Sequence, residues 1–349
     1  MTPPMAVAYA GPHDTAAEQP SEAPVAAERQ EWVDVARGIG IALVVYGHAL
    51  RALFPGGRMP EWARLQDELI YGFHMPLFFV ASGLFLWQQI GRGRAPFLRD
   101  RLLFIIYPYF LWSLITGVLE LLAEPWVNSP VQPIQLLLLP VAPIEQYWFL
   151  YALLVVHLVA LLAYPSRRWL VVLALILPLA CSLIPSGLMA WRSLTWLPYL
   201  AGGVLAGGAL KALVRGRPGL LITGAVLAWL CFLAAYALPG VPLRSYALGF
   251  AGTLGTLLVS ALIARTSLVA PLAALGAASM AIFVTHTICS AGARAVAFTI
   301  WPQVPVTMVL AATTLAGILA PLLLYWWAGR VRLRTILGLG KDRRVRVTL

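Results

Sequence analysis

Residues 32–51 read WVDVARGIGIALVVYGHALR, and this stretch indicates what kind of protein the chain forms. A largely apolar run of about 20 residues is the length that an α-helix needs to cross the hydrocarbon core of a bilayer. The run nevertheless contains four ionisable side chains, Asp34, Arg37, His48 and Arg51. An ionisable residue near the centre of such a helix costs roughly 2.5–3.5 kcal/mol to insert. We therefore predict a transmembrane helix that does more than anchor the protein.

The four polar residues fall on one side of the predicted helix. Arg37 and His48 are eleven residues apart, which at about 100° per residue is within about 20° of three full turns and about 16 Å along the axis. Asp34 lies three residues before Arg37, and Arg51 three residues after His48, so both are beside the same face. One interpretation is structural, with Asp34 and Arg37 paired inside a bundle. Four polar groups in one row favour the other interpretation, the wall of a cavity.

The composition of the whole chain extends this interpretation. Hydrophobic residues make up 60% of the 349 residues and charged residues 11%, against roughly 45–50% and 25% in soluble domains, and the mean hydropathy is +0.82. These values exclude a soluble enzyme, a disordered protein and a nucleic-acid-binding module, although the net charge is +11. An outer-membrane barrel is excluded too, because its strands would alternate apolar and polar residues.

Ten segments are predicted to span the membrane: 32–54, 68–90, 101–123, 145–164, 169–185, 191–213, 219–238, 243–263, 270–298 and 303–328. With the N-terminus inside, eighteen Lys and Arg residues lie on the inner side and six on the outer side, while Arg37 lies within the first span. This bias follows the positive-inside rule. We therefore predict an all-α, polytopic membrane helix bundle of about ten transmembrane helices in the cell (inner or plasma) membrane, with both termini cytoplasmic.

Two tails are predicted to flank the transmembrane domain, which we place at residues 31–328. Residues 1–30 are rich in Ala, Pro and Glu and contain no apolar run, which predicts a disordered cytoplasmic tail. Residues 329–349 hold seven cations and one acid. A basic segment directly after an apolar helix is typical of a cytoplasmic tail that contacts anionic lipid.

Further polar side chains lie in other spans. His74 is near the outer end of the second span, where His48 is also predicted, so the two imidazoles are candidates for one proton-transfer site; the alternative for His74 is a hydrogen-bonded packing residue. Pro76 lacks an amide hydrogen and is expected to bend this span. Ser279 and His286 are seven residues apart, which is two turns along one helix face, and this spacing suits a shared wall.

The loop after the second span is strongly basic, with Arg92, Arg94, Arg99 and Arg101. A topology determinant that binds anionic lipid explains such a loop. A phosphate clamp for a nucleotide donor on the cytoplasmic side explains it as well, because guanidinium groups bind phosphate through paired hydrogen bonds. The sequence leaves both interpretations open.

Four segments together resemble the signature of the membrane acyltransferase-3 family, in its fucose-acetylase-like branch. RGIGIALVVYGH at residues 37–48 is similar to the family's first element, in which ten residues separate an Arg from a His. FHMPLFFVASG at residues 73–83 looks like the family's HMPLFFFLSG run. WFL at residues 148–150 and the segment 279–286 resemble two further elements in the expected order. Many members carry an Arg-x-x-Arg pair before the third span, where this chain has Arg99-Asp-Arg101.

The resemblance implies an integral membrane O-acyltransferase. Such an enzyme moves an acyl group, usually acetyl from acetyl-CoA, to a hydroxyl of a glycan or lipid-linked sugar of the cell surface. The family's functional Arg and His map onto Arg37 and His48, and His74 is the third catalytic candidate. Histidine titrates near neutral pH, which suits a base that activates a sugar hydroxyl, and an acyl-imidazole on His48 is the covalent variant. The remaining candidates are Arg99 and Arg101 for the donor, and Asp34, Ser82, Trp148, Ser279 and His286 for the acceptor side or the cavity wall.

The expected partners are acyl-CoA, a sugar acceptor and membrane lipid, with acetyl-CoA as the co-substrate and no nucleic acid. The three cysteines lie far apart and show no metal-ligand spacing, so no metal is expected. The competing class is a transporter or translocator of a lipid-linked sugar or another polar solute, which also needs intramembrane charges. Acetyl-CoA chemistry separates the two classes, because a transporter neither hydrolyses acetyl-CoA nor transfers from it.

Overall fold

The structure is a computed structural model and describes residues 30–55, 59–123, 131–241 and 243–340. By its contacts the chain divides into Met1–Gln30 and Glu31–Leu349. Of the first unit only Gln30 is described, so the predicted N-terminal tail lies outside the described residues. Residues 341–349 of the predicted basic tail lie outside them as well.

All regular structure among the described residues of the second unit is helical, which confirms the all-α fold class. Three short turns of other helix types also occur in this described part of the chain. A π-helical turn, Leu102–Ile106, joins the fourth α-helix to the fifth, and 3-10 turns at Glu145–Tyr147 and Leu194–Trp196 precede the seventh and tenth α-helices. In chain order the helices are α1 (Glu31–Leu53), α2 (Glu61–Tyr71), α3 (His74–Gly91), α4 (Arg94–Arg101), α5 (Tyr107–Leu122), α6 (Pro133–Leu137), α7 (Trp148–Ala163), α8 (Arg167–Leu183), α9 (Met189–Ser193), α10 (Leu197–Val214), α11 (Pro218–Ala237), α12 (Arg244–Ile263), α13 (Val269–Ala277), α14 (Ser279–Ile300) and α15 (Val306–Arg330).

Nine helical stretches of the described chain are long and apolar enough to cross a membrane, and they coincide with nine of the ten predicted spans. The remaining predicted span, 169–185, corresponds to α8. Its 17 residues give a length of about 26 Å, at the short limit for a span. Leu122, Leu162 and Ile300 are each more than three-quarters exposed on the outside of the bundle. Such an apolar surface suits lipid rather than water. The chain is therefore a polytopic membrane helix bundle, and the sidedness of its termini stays a prediction.

Two of the predicted spans contain a break between two helices. α2 ends at Tyr71 and α3 begins at His74, so Pro76 lies in the first turn of a new helix, where its missing amide hydrogen leaves no bond unmade. The expected bend at Pro76 is therefore wrong, because the interruption precedes it. The ninth span is interrupted at Ala278, between α13 and α14.

Helix α1 lies among five long-range neighbours, namely α3, α12, α13, α14 and α15. Its contact with α13 is made by the backbones. A Cβ on Gly38 would overlap the carbonyl oxygen of Leu272, and a Cβ on Gly276 would overlap the backbone of Asp34. Small residues let two helices approach this closely. The turn of α1 that carries Arg37 is therefore fixed against α13.

Candidate active site at the C-terminal end of α1

His48 lies on the wall of a large cavity at the end of α1 that is predicted to face outward. The cavity has a volume of about 1350 Å³, and its lining comes mainly from α1, α2, α5 and α14. His48 is half-buried, and within the described parts of the chain neither of its ring nitrogens hydrogen-bonds to a protein group; its ring contact is with His286. The imidazole of His48 is therefore available to a substrate or to water.

His286 on α14 is the side chain that the structure brings against His48. The ring centroids lie 5.1 Å apart, and the planes are nearly perpendicular, at 81°. The Nδ1 atom of His286 lies 3.0 Å from the carbonyl oxygen of Ile282 and 2.8 Å from that of Phe283. The side chain is fully buried, and its Nε2 has no partner among the described residues.

Arg51 joins α1 to α2 at the mouth of the cavity. Its Nε and Nη2 donate to the two carboxylate oxygens of Asp67 at 2.6 and 2.9 Å. The guanidinium also lies 3.2 Å from the ring centroid of Tyr71. Paired hydrogen bonds and a cation–π contact hold this side chain in one geometry. The Tyr46 hydroxyl adds a further hydrogen bond between the same helices, because it donates to the side-chain oxygen of Gln66.

His74, the third catalytic candidate, is the first residue of α3 and is buried. Its Nδ1 donates to the carbonyl oxygen of Ile70 at 2.8 Å, and its ring contact is with Tyr71, at 4.6 Å between centroids. His48 and His74 are close enough for their charges to interact. His74 is not part of the cavity lining.

Arg37 lies deeper, three turns along α1 from His48, and is half-buried. Its charge interacts with that of Asp34, one turn earlier. Within the described chain no protein acceptor hydrogen-bonds to its guanidinium, so its five N–H donors are available. Arg37 and Asp34 are not part of the lining of the His48 cavity.

Ser82 hydrogen-bonds to His157 of α7, with 2.8 Å between Oγ and Nε2. A Cβ on Gly40 would touch Leu77 and Phe78, so in the antiparallel pair of α1 and α3 Ser82 lies near the depth of Arg37 rather than that of His48. The sequence marks His157 as an isolated polar residue in an apolar helix, and nothing in it indicates the partner 75 residues away.

The two donor-side arginines point in different directions. Arg101 donates to the side-chain oxygen of Gln89, and its guanidinium lies 4.4 Å from the ring centroid of Phe97. Arg99 is exposed. The π-helical turn begins directly after Arg101, and such turns are frequent at functional sites.

Trp148 and Ser279 lie outside the lining of the His48 cavity. Trp148 opens α7, and its ring centroid is 5.3 Å from that of Trp196. Ser279 opens α14, two turns before His286. Neither residue is part of the cavity lining, so the structure brings only His286 of the acceptor-side candidates into contact with His48.

Two carboxylates on the cavity wall are not among the site residues predicted from the sequence. Glu120 is near the end of α5, and its buried Oε2 has no partner among the described residues. Glu145 has a φ of 42°, a left-handed conformation that a residue other than glycine keeps only where its surroundings fix it. Both line the cavity, together with Arg64 and Arg294. The sequence signal for Glu120 is an acid late in an apolar span.

Comparison with known proteins identifies the family to which the chain belongs. Residues 30–326 match a protein family described as an acyltransferase domain. Nodulation protein NolL of Mesorhizobium japonicum is 31% identical over 126 residues, which are 34% of this chain and 32% of that protein. The chain therefore spans about a third of the length of this curated relative. No solved structure matches the chain. Within the described ranges, no group of three His, Cys, Asp or Glu side chains could hold a metal ion.

Proposed function

The chain belongs to the acyltransferase family that its residues 30–326 match, and from this premise we propose that it transfers an acetyl group from acetyl-CoA to a hydroxyl of a glycan or lipid-linked sugar of the cell surface. The family match confirms the predicted resemblance to the acyltransferase-3 family, and the proposed activity is that of a membrane acyltransferase. The observation that carries the finer proposal is the imidazole of His48. Among the described residues that line the cavity of about 1350 Å³, His48 is the one histidine.

His48 acts on the acceptor hydroxyl as a general base. A ring nitrogen takes the hydroxyl proton while the oxygen attacks the carbonyl carbon of the thioester. The carbon–oxygen bond forms, the carbon–sulfur bond breaks, and His48 returns the proton to the thiolate of coenzyme A. In the covalent variant, His48 attacks the thioester and the acyl-imidazole then passes the acyl group to the hydroxyl. Both routes need a nitrogen lone pair that is open to the cavity.

The donor is proposed to enter from the cytoplasmic side. Arg37 supplies a fixed cation for a phosphate or for the polarised thioester carbonyl, which is supported by the absence of a protein hydrogen bond to its guanidinium within the described chain. Asp34, one turn away, orients it. Arg99 and Arg101 contact the nucleotide end, where an exposed arginine such as Arg99 can form paired bonds to phosphate.

The acceptor is proposed to occupy the outer cavity. Its volume of about 1350 Å³ exceeds the roughly 300–1,000 Å³ of drug-sized sites, which suits more than one sugar unit. Glu120 and Glu145 accept hydrogen bonds from sugar hydroxyls, while Arg64 and Arg294 bind any acidic group. His74, Trp148 and Ser279 do not line the cavity. We propose that these three residues influence the acceptor indirectly, through the side chains that they contact.

The test combines chemistry in vitro with analysis of the native glycans. Purified protein in lipid nanodiscs should turn over radiolabelled acetyl-CoA, and His48→Ala should not. In cells, deletion of the gene should remove O-acetyl groups from one surface glycan. The parent gene should restore these groups, while the His48→Ala gene should not. A deletion that changes the amount of glycan, with no acetyl-CoA turnover by the pure protein, would indicate the transporter class instead.

A further inference from the structure

The imidazole of His286 lies in contact with that of His48. The two residues are 238 positions apart in the sequence, on α1 and α14, which pack against each other. Their ring centroids are 5.1 Å apart. The proposed function assigns the proton transfer to His48 and leaves the chemistry of His286 open.

The hydrogen bonds of His286 fix its tautomer. Nδ1 is within hydrogen-bond distance of the carbonyl oxygens of Ile282 and Phe283, at 3.0 and 2.8 Å. A carbonyl oxygen can only accept, so Nδ1 carries the hydrogen and donates it. In the neutral ring, Nε2 therefore has a lone pair and no hydrogen.

That lone pair is buried without a donor. Nε2 of His286 has no partner among the described residues, and the residue is 0% exposed. Buried polar atoms are almost always hydrogen-bonded, so the exception needs an explanation. Phe283, the other ring near His286, has no donor, whereas His48 carries an N–H in either neutral tautomer.

The separation of the two rings fits a hydrogen bond between them. An N–H···N bond of about 2.9 Å places two imidazole centroids roughly 5 Å apart, and the observed separation is 5.1 Å. A rotation of the His48 ring, which no protein hydrogen bond restrains within the described chain, completes the bond. Besides His286, the groups that interact electrostatically with His48 are Arg51 on its own helix and His74 on α3. Arg51 can only donate, so it offers no acceptor to an N–H of His48. The ring contact of His74 is with Tyr71.

We propose that His286 is a positioning residue for His48. Its Nε2 accepts a hydrogen bond from one N–H of His48, and the other ring nitrogen of His48 then presents its lone pair to the acceptor hydroxyl in the cavity. A base held in one tautomer by a neighbouring group is the general arrangement of activated nucleophiles and bases. The inference rests on the proposed function, because it assigns the proton of the acceptor hydroxyl to His48.

Two variants of His286 separate this role from a structural one. His286→Asn keeps an amide donor at the position of Nδ1 but has no atom at that of Nε2. His286→Gln reaches the Nε2 position and loses the donor to Ile282 and Phe283. We expect His286→Asn to reduce kcat for acetyl transfer roughly 10- to 100-fold with both KM values within about twofold, and His286→Gln to keep activity within about fivefold of the parent. If His286 served only to bond the two carbonyls, the order of the variants would be reversed.

The parent protein, His48→Ala and both His286 variants are measured as monodisperse fractions of equal melting profile. Full activity of His286→Asn overturns the inference while the acyltransferase proposal stands. Equal losses in both His286 variants overturn it too, since the acceptor atom that Gln retains would then make no difference. A parent protein that does not turn over acetyl-CoA overturns the proposed function, and the inference with it.

Discussion

Ser82 of α3 and His157 of α7 are joined by a hydrogen bond of 2.8 Å between Oγ and Nε2. His157 is 0% exposed, and its Nδ1 has no partner among the described residues. Among the described residues, the Ser82 hydroxyl is therefore the one hydrogen-bond partner of this buried imidazole. The pair lies near the depth of Arg37, on the side predicted for the donor, and we interpret it as a tie between two spans.

Removal of the Ser82 hydroxyl should destabilise the protein without reducing its catalytic rate. Ser82→Ala leaves both nitrogens of His157 unpaired, and an unsatisfied buried group costs about 1–3 kcal/mol. We expect a lower melting temperature in detergent and kcat within about twofold of the parent, because neither residue lines the His48 cavity. Ser260→Ala is the matched control, since that hydroxyl donates only to a carbonyl of its own helix. A large loss of kcat at parental stability would instead place Ser82 in the chemistry.

The local features of the fold could be predicted from the sequence. The alignment of Arg37 and His48 on one helix face depends only on the 3.6-residue period, and α1 is a continuous helix over both residues. The apolar runs likewise located most spans to within a few residues. The exceptions are the second and third helical stretches, which each begin seven residues before the predicted span, and the stretch Ser279–Ile300, which begins nine residues after it. The interruptions before His74 and at Ala278 were not predicted, because each lies within a continuous apolar run.

The contacts between helices could not be predicted. His48 meets His286, rather than His74, because α14 packs beside α1, and one sequence contains no information on which helices are neighbours. The bond from Ser82 to His157 depends in the same way on the packing of α3 and α7. The position of Glu145 on the cavity wall follows from a backbone conformation at φ 42° that its local sequence does not indicate.

Replacement of His48 should abolish acetyl transfer. His48→Ala removes the imidazole that faces the cavity, and general-base catalysis contributes about 10²- to 10⁴-fold. Folding should be near normal, because His48 is only half-buried and its side chain lies on the cavity wall rather than in the packed core. The measurement is acetyl-CoA turnover by protein of parental melting temperature, with Met59→Ala as a control that shortens another cavity-lining side chain. Activity of His48→Ala within twofold of the parent would remove His48 from the mechanism.

Arg37 should not be replaceable by lysine. A guanidinium forms two parallel hydrogen bonds to a phosphate or carbonyl group, whereas an ammonium is a compact point charge. We expect Arg37→Lys to lose at least about 10-fold in kcat/KM for acetyl-CoA, as measured by steady-state kinetics with the donor varied. Stability should change little, since lysine keeps the positive charge that interacts with Asp34. Full activity with an unchanged donor KM would show that a point charge is sufficient.

The two arginines of the basic loop should differ when they are replaced singly. Arg99→Gln removes an exposed charge and should raise the KM for acetyl-CoA more than it lowers kcat, because a remote contact acts mainly as uniform binding. Arg101→Gln should also lower the melting temperature, since Arg101 bonds to Gln89 and lies over the ring of Phe97. Arg192→Gln, on the predicted outer side, is the control. An unchanged KM in both loop variants, with altered membrane orientation, would assign these residues to lipid binding.

The two ends of the row of polar residues on α1, from Asp34 to Arg51, should serve opposite sides of the membrane. Eighteen inner cations against six outer ones predict that α1 begins in the cytoplasm. Arg37 is then nearer the inside and His48 nearer the outside, where the cavity lining extends from His48 outward to Ile300. In the proposed function the donor is acetyl-CoA, which is made in the cytoplasm and is too polar to cross lipid, so we expect its thioester end to pass Arg37 on the way to His48.

Sealed inverted vesicles test this transmembrane route. Their outer surface is the cytoplasmic face, so acetyl-CoA added outside should label an acceptor trapped in the lumen. The label should be absent from vesicles that carry His48→Ala, and detergent should not be needed for labelling in the parent. Arg99→Gln should slow labelling at low donor concentration and less at saturation, because it acts from the donor side. If label appears only when donor and acceptor share one side, the transmembrane route is wrong, and the acceptor then has to reach His48 from the inner leaflet.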